Sequence, residues 1–268
     1  MLGAMSQPTA RAARDHLRDL LTDTMQALGF LTRLRLDPRW FEGFDGRYDR
    51  AARAFPIAGL LATVPGALVL GCGVLVGLTP IVAAALGVAV TLLVTGALHE
   101  DGLADTFDGL GGADRERRLA IMRDHATGAY GALALVVSVV LRIVLLAELA
   151  VPGLAIPAWL AAAALGRAAM VWLWARSEGA RADGAASGAG QPDDVALRTA
   201  VIAGAVLALP ALVLLGPLPL VAALVLLALV VLWLRRSVVA PLGGHTGDVL
   251  GAVAVLGEIA VLTGLAIG

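Results

Sequence analysis

The chain has 268 residues, 59% of them hydrophobic and 15% charged, with a mean hydropathy of +0.86. A soluble domain is about half apolar and about a quarter charged, so this composition belongs to an integral membrane protein. A net charge of −1 offers no field suited to nucleic acid, and the lone Cys72 excludes an internal disulfide framework.

Residues 1–35 are rich in charge and lack the early apolar core of a signal peptide. Within them, residues 12–35 read as an amphipathic helix, with Leu17, Leu20, Leu21, Leu28 and Leu31 recurring among Arg and Asp. Such a helix either lies in the membrane interface or packs on the protein's own cytoplasmic face. Residues 35–55 follow as a polar, aromatic-bearing loop. Apolar runs then predict spans near 57–77, 81–98, 129–150, 155–175, 196–215, 217–234 and 247–267. The expected fold is therefore all-α and polytopic, with about seven transmembrane helices plus the N-terminal amphipathic helix. Residues 1–54 form a cytoplasmic helix and loop, and residues 55–268 the transmembrane catalytic domain.

The connections alternate in character. Residues 77–80, 151–157 and 215–219 are short and uncharged, whereas Arg gathers in the N-terminal region, 99–128, 176–195 and 235–248. Seven spans put every Arg-bearing connection on the side of the N-terminus. The positive-inside rule then places the N-terminus in the cytoplasm of a cell (inner) membrane and the C-terminus outside. Residues 181–194, rich in Gly, Ala and Ser, read as a mobile loop.

The chemistry concentrates in "HEDGLADTFDGLGG", residues 99–112. If the second span continues as a helix, Asp101, Asp105 and Asp108 at i, i+4 and i+7 share one face. Like charges at that spacing repel, so a cation is expected among them. Hard cations take oxygen ligands, and Mg²⁺ commonly combines one or two carboxylates with substrate phosphates. The alternative is a solvated acidic loop. His99 reads as a polar interfacial residue rather than a ligand.

Downstream, Asp114 is placed to cap a helix, and Arg115, Arg117 and Arg118 read as positive-inside anchors. Arg123 is open between an anchor and a phosphate contact. Arg142 and Arg167 lie within apolar runs, where an unpaired Arg costs about 2.5–3.5 kcal/mol. Arg167 is expected to reach a phosphate, and Arg142 to pair with Glu148 or turn outward.

A second polar cluster, "GGHTGD" at 243–248, precedes the last span. Asp248 there is either a helix-capping charge or a ligand to metal or phosphate. Glu258 lies about 15 Å further along the helix, too far to share an ion with Asp248, and needs a polar partner of its own. The topology sets both clusters on one membrane face.

"HEDGLADTFDGLGGADRERRLAIMRDHATGAYG" and "PLGGHTGDVLGAVAVLGEIAVL" (241–262) resemble the signatures of the cobalamin synthase family, the adenosylcobinamide-GDP ribazoletransferases. "FLTRL" (30–34) and "FPIAGLL" (55–61) resemble that family's N-terminal pattern. Two positions depart from it: Leu34-Arg35 stands where Leu-Pro is usual, and His245 where an aromatic residue is usual.

The resemblance implies joining of adenosylcobinamide-GDP to α-ribazole or its 5′-phosphate, with Mg²⁺ required and GMP released. Under it, Asp101, Asp105 and Asp108 hold one or two Mg²⁺ ions, and Asp248 completes the metal site or orients a substrate. Glu100 or Asp105 is the general base, Arg123 and Arg167 contact phosphate, and Gly243, Gly244 and Thr246 offer backbone or hydroxyl contacts. Beyond substrates and the lipid bilayer, assembly with other enzymes of the pathway or with further copies of the chain stays open. A CDP-alcohol phosphatidyltransferase fits less well, because Asp105 stands where that pattern has Arg. A transporter is expected to set its charges near the midplane rather than at one face.

Overall fold

In a computed structural model of the chain, residues 7–124, 126–150, 153–181 and 188–267 are described, with side chains from residue 15 onward. Six helices among them are long and apolar enough to cross a membrane, or seven if a helix pair bent by 90° counts as one span. The helices are α1 (Gln7–Leu31), α2 (Phe55–Leu75), α3 (Pro80–Thr95), α4 (Leu98–Gly109), α5 (Arg115–Ile121) and α6 (Ala129–Ala150). They continue with α7 (Ala155–Ala175), α8 (Asp194–Leu207), α9 (Leu209–Leu215), α10 (Pro217–Leu234) and α11 (Gly247–Leu265). This is the expected all-α polytopic membrane architecture. Of the loop expected over 181–194, residues 182–187 lie outside the described residues.

The bundle is built around α7 and α11. Their apolar windows are 72% and 83% buried, against 28% for α6 and for α10, so the latter two face lipid. Apolar side chains gain little from one another in a lipid solvent, so close backbone packing must hold such helices together. Small residues permit it. Gly66 on α2 lies against the Gly87 carbonyl and Thr91 of α3, and Gly166 on α7 against the Ala254 carbonyl of α11. The ring of Trp159 fills the space beside the Gly66–Gly87 crossing.

The second predicted span ends sooner than expected. Gly96 (φ 63°) and Ala97 (φ 55°) are both left-handed, which terminates α3 and turns the chain through 90°. The Arg33 side chain lies over Gly96, and the Arg33 amide bonds the Val94 carbonyl at 2.8 Å. The acidic motif is consequently a separate helix, α4, and not the continuation of a span.

The amphipathic α1 packs on the protein through its second half, burying Ala27, Leu28 and Leu31 and leaving Leu17 and Leu21 exposed. Asp23 anchors it, pairing with Arg53 at 2.5 Å and Arg50 at 3.5 Å. The loop expected over 35–55 carries two short 3₁₀ turns, Pro38–Phe41 and Ala51–Ala54. Its Tyr48 stacks near Phe30 at 4.5 Å, and Phe30 and Phe55 continue that aromatic contact to Trp174 on α7.

Candidate active site

The site forms where α4 crosses α11. Gly102 on α4 lies directly against the Asp248 backbone, where a Cβ would sit 2.7 Å from the Asp248 carbonyl oxygen. Gly251, one turn along α11, meets the His99 backbone in the same way at 3.2 Å. Two glycines thus bring the "HEDG" and "TGD" motifs together. Asp101, exposed, and Asp248, half-buried, line one cavity of ≈ 200 Å³ closed by residues of α1 and α7. The charged neighbours of Asp248 are Arg181 and Asp101.

The loop before α11 is held rigidly. After the π turn Arg235–Val239, Gly243 takes a left-handed conformation (φ 71°), and the amides of Gly243 and Gly244 close the preceding turn on the Ala240 and Val239 carbonyls. Gly244 then passes so close to Glu178 and Ala180 that a side chain there has no room. His245 pairs with this strand-like segment through two 2.8 Å backbone bonds, Nδ1 of its ring lying 3.0 Å from Ser177 Oγ. Arg115 straps the assembly, donating to the Leu242 carbonyl at 2.8 Å and the Ala180 carbonyl at 2.6 Å. Arg181 donates to the Leu119 carbonyl at 3.1 Å. Residues 112–119, 178–181 and 242–248 therefore share one face. Burial depresses the His245 pKa below its ordinary value, with neighbouring carbonyls of 177 and 178 partly opposing.

Several predicted site residues have other occupations. Thr246 caps α11, its hydroxyl accepting from the Val249 amide at 3.3 Å and meeting Asp248 Oδ2 at 3.1 Å. Asp248 stands inside the first turn and is not the cap itself. With their amides committed, Gly243 and Gly244 shape the loop and do not offer those donors to a ligand. Asp108 points away from Asp101: its two oxygens accept from the Gly128 and Gly131 amides at 2.7 and 2.8 Å, capping the start of α6. Among the described residues no three His, Cys, Asp or Glu side chains are grouped to hold a metal. The i, i+4, i+7 set on α4 fails to converge because Asp108 is drawn to the N-terminus of α6. Asp105 is half-buried one turn beyond Asp101, and Arg123 is exposed beyond α5.

Glu100 and Arg167 are corrected more sharply. Glu100 is buried and pairs with Arg142 at 2.8 Å. Arg167 is buried and pairs with Glu258 at 2.8 Å, while Trp159 Nε1 donates to the same carboxylate at 3.0 Å. Glu258 also lies 3.9 Å from Arg142. Arg142 thus takes Glu100 and not Glu148, Glu258 finds the polar partners it needed, and both Glu100 and Arg167 are buried in ion pairs with other helices. Gly59, in the "FPIAG" stretch, makes room for the Arg167 stem, since a Cβ would come within 2.9 Å of it. Arg142, Arg167 and Glu258 in otherwise apolar runs were the available signal for this network, whereas Glu100, set in the acidic motif, carried none. The Arg115 strap had none, because an Arg holding carbonyls reads like any cytoplasmic anchor.

Fold and site together define a polytopic membrane protein with two carboxylates converging on a cavity at the end of its bundle. The Cobalamin-5-phosphate synthase family model matches residues 23–266, and the chain belongs to that family. Among curated relatives, the adenosylcobinamide-GDP ribazoletransferase of Rhizobium etli (strain CIAT 652) is 46% identical over 265 residues, covering 93% of this chain and 98% of its own. The proteins of the same name from Sinorhizobium medicae (strain WSM419) and Rhizobium meliloti (strain 1021) are each 45% identical, covering 94% of this chain and 98% of their own. No solved structure matches the chain.

Proposed function

We propose that this chain joins adenosylcobinamide-GDP to α-ribazole or its 5′-phosphate, yielding adenosylcobalamin or its 5′-phosphate and GMP. Family membership and the names of the relatives support the reaction. The observation that carries the site is the convergence of Asp101 and Asp248, from two distant motifs, on one cavity.

A ribazole sugar hydroxyl attacks the phosphorus attached to cobinamide. The bond from that phosphorus to the bridging oxygen breaks, and GMP leaves with the electron pair. The hydroxyl proton passes to a carboxylate and then to water. With Glu100 held by Arg142, Asp105 is our assignment for that acceptor. The donor set suits Mg²⁺: two hard carboxylates lining one cavity, with no third grouped among the described residues, leave the remaining coordination to substrate phosphate and water. Asp101 and Asp248 would hold the ion, which supplies charge neutralisation at the phosphoryl oxygens. Arg181, beside Asp248, is placed to add positive charge at the same edge.

The Arg-bearing loops meet around this site, and we assign that face, with the N-terminus, to the cytoplasm of the inner membrane. Purified protein in detergent, given both substrates, is expected to release GMP only with Mg²⁺. Asp101→Asn should lower the rate by about a hundredfold or more. No GMP from folded wild-type protein overturns the reaction, and GMP formed equally without divalent metal overturns the metal assignment.

A further inference from the structure

The cavity beside Asp101 and Asp248 is walled mostly by apolar groups. Among them are Phe30 from α1, Met170 and Trp174 from α7, and Leu250 from α11. Contacts with Phe55, at ring distances of 5.9 Å, hold Phe30 and Trp174 in place. The Trp174 N–H is spent on the Gly190 carbonyl at 3.1 Å, so its contribution here is apolar surface. One further polar side chain lines this space, His99, which is 2% exposed. Among the described residues neither of its ring nitrogens has a hydrogen-bond partner. A buried polar group left unpaired is costly, and a site built around one is completed by what binds there.

We propose that this cavity receives the bicyclic base of the ribazole nucleoside, with His99 hydrogen-bonding the free ring nitrogen of that base. The proposal rests on the reaction assigned above. A mostly apolar pocket with one convergent polar group fits a flat heteroaromatic ring with one exposed acceptor. An imidazole N–H supplies the single donor required. The guanine of the other substrate carries several donors and acceptors along its edge, most of which these walls would leave unsatisfied. With the base seated, the sugar lies at the mouth beside Asp101 and Asp248, where its hydroxyl is needed. His99 is then a specificity residue and takes no part in proton transfer.

The test compares α-ribazole with an analogue whose free ring nitrogen is replaced by C–H. The wild-type protein is expected to prefer α-ribazole by about tenfold in kcat/KM, the worth of one hydrogen bond. His99→Leu should abolish that preference and leave the KM for adenosylcobinamide-GDP unchanged, whereas His99→Gln, which keeps a donor, should retain part of it. Met170→Trp, filling the apolar wall, should raise the KM for both nucleosides about tenfold or more. A preference that survives in His99→Leu overturns the proposal, as does a Met170→Trp effect on the GDP substrate in place of the nucleoside. Equilibrium dialysis of the two nucleosides against the wild-type protein and His99→Leu reads the same preference without turnover. Failure of the reaction and failure of the subsite are thereby distinguished.

Discussion

Glu258 sits among Trp159, Arg142 and Arg167 in the middle of the bundle, which hold its carboxylate by hydrogen bond and ion pair. Removing one member of a buried pair strands the other, at a cost of about 3–5 kcal/mol, while removing both can be nearly neutral. Glu258→Leu or Arg167→Met alone should therefore destabilise the protein by that amount, and the double variant by less than either. Denaturant titration in mixed micelles measures this, and additive losses would refute the pairing. His245 predicts a pH effect. Its pKa is depressed in the fold, so protonation costs more there than in the unfolded chain. Its contribution is complete above the ordinary value of 6.5 and is lost as pH falls below it. Thermal midpoints should drop between about pH 7.5 and about pH 5.5 more for wild type than for His245→Phe, which keeps an aromatic ring without the titration.

The element that decides the site is the α4–α11 crossing. Ala at 102 would drive a methyl into the Asp248 backbone, whereas Ala at 247 meets open space. Gly102→Ala should cost about 1–3 kcal/mol and most of the activity, because Asp101 and Asp248 would separate. Gly247→Ala should leave stability close to unchanged. The apolar runs in the sequence located the spans within a few residues, because lipid demands an unbroken apolar stretch whatever the packing. The break at Gly96–Ala97 was not legible: nothing in "VTGALHEDG" distinguishes a left-handed pair under Arg33 from continuing helix. Helical spacing alone then put Asp108 with Asp101. Its true partners, the Gly128 and Gly131 amides, come from beyond the α5 turn and cannot be reached by periodicity. Asp101 and Asp248 were legible as members of two polar motifs, and Gly102 explains physically why those motifs meet.

At the scale of the whole molecule, the crossing number decides where the ends lie. A re-entrant α3–α4 pair would leave six crossings and both termini on one side, and a true span would leave seven. The Arg33–Val94 bond distinguishes them. Arg33 stands just before the loop that leads into α2, so α3 ends at the face where α2 begins, having returned across the membrane. Its 16 residues give a length of about 24 Å, short of a typical core of about 30 Å, a mismatch that bilayer thinning accommodates. Helix α4 then runs along that face and presents Asp101 to it. Seven crossings place Arg117 on one side and Leu218 and Ile267 on the other, and the orientation proposed above makes the side of Arg117 the cytoplasmic one. All three are exposed, and each accepts Cys in a Cys72→Ser background. A membrane-impermeant maleimide on intact cells should label Leu218→Cys and Ile267→Cys, with Arg117→Cys labelled only after lysis. The bent pair precedes Arg117, so a further cysteine before α2, at the exposed Arg39, reports on it: Arg39→Cys labelled like Arg117→Cys means that the pair crosses, and labelled oppositely that it does not. If Leu218→Cys and Arg117→Cys exchange behaviour, the Arg-bearing face and its carboxylates lie outside the cell, away from cytosolic nucleotides.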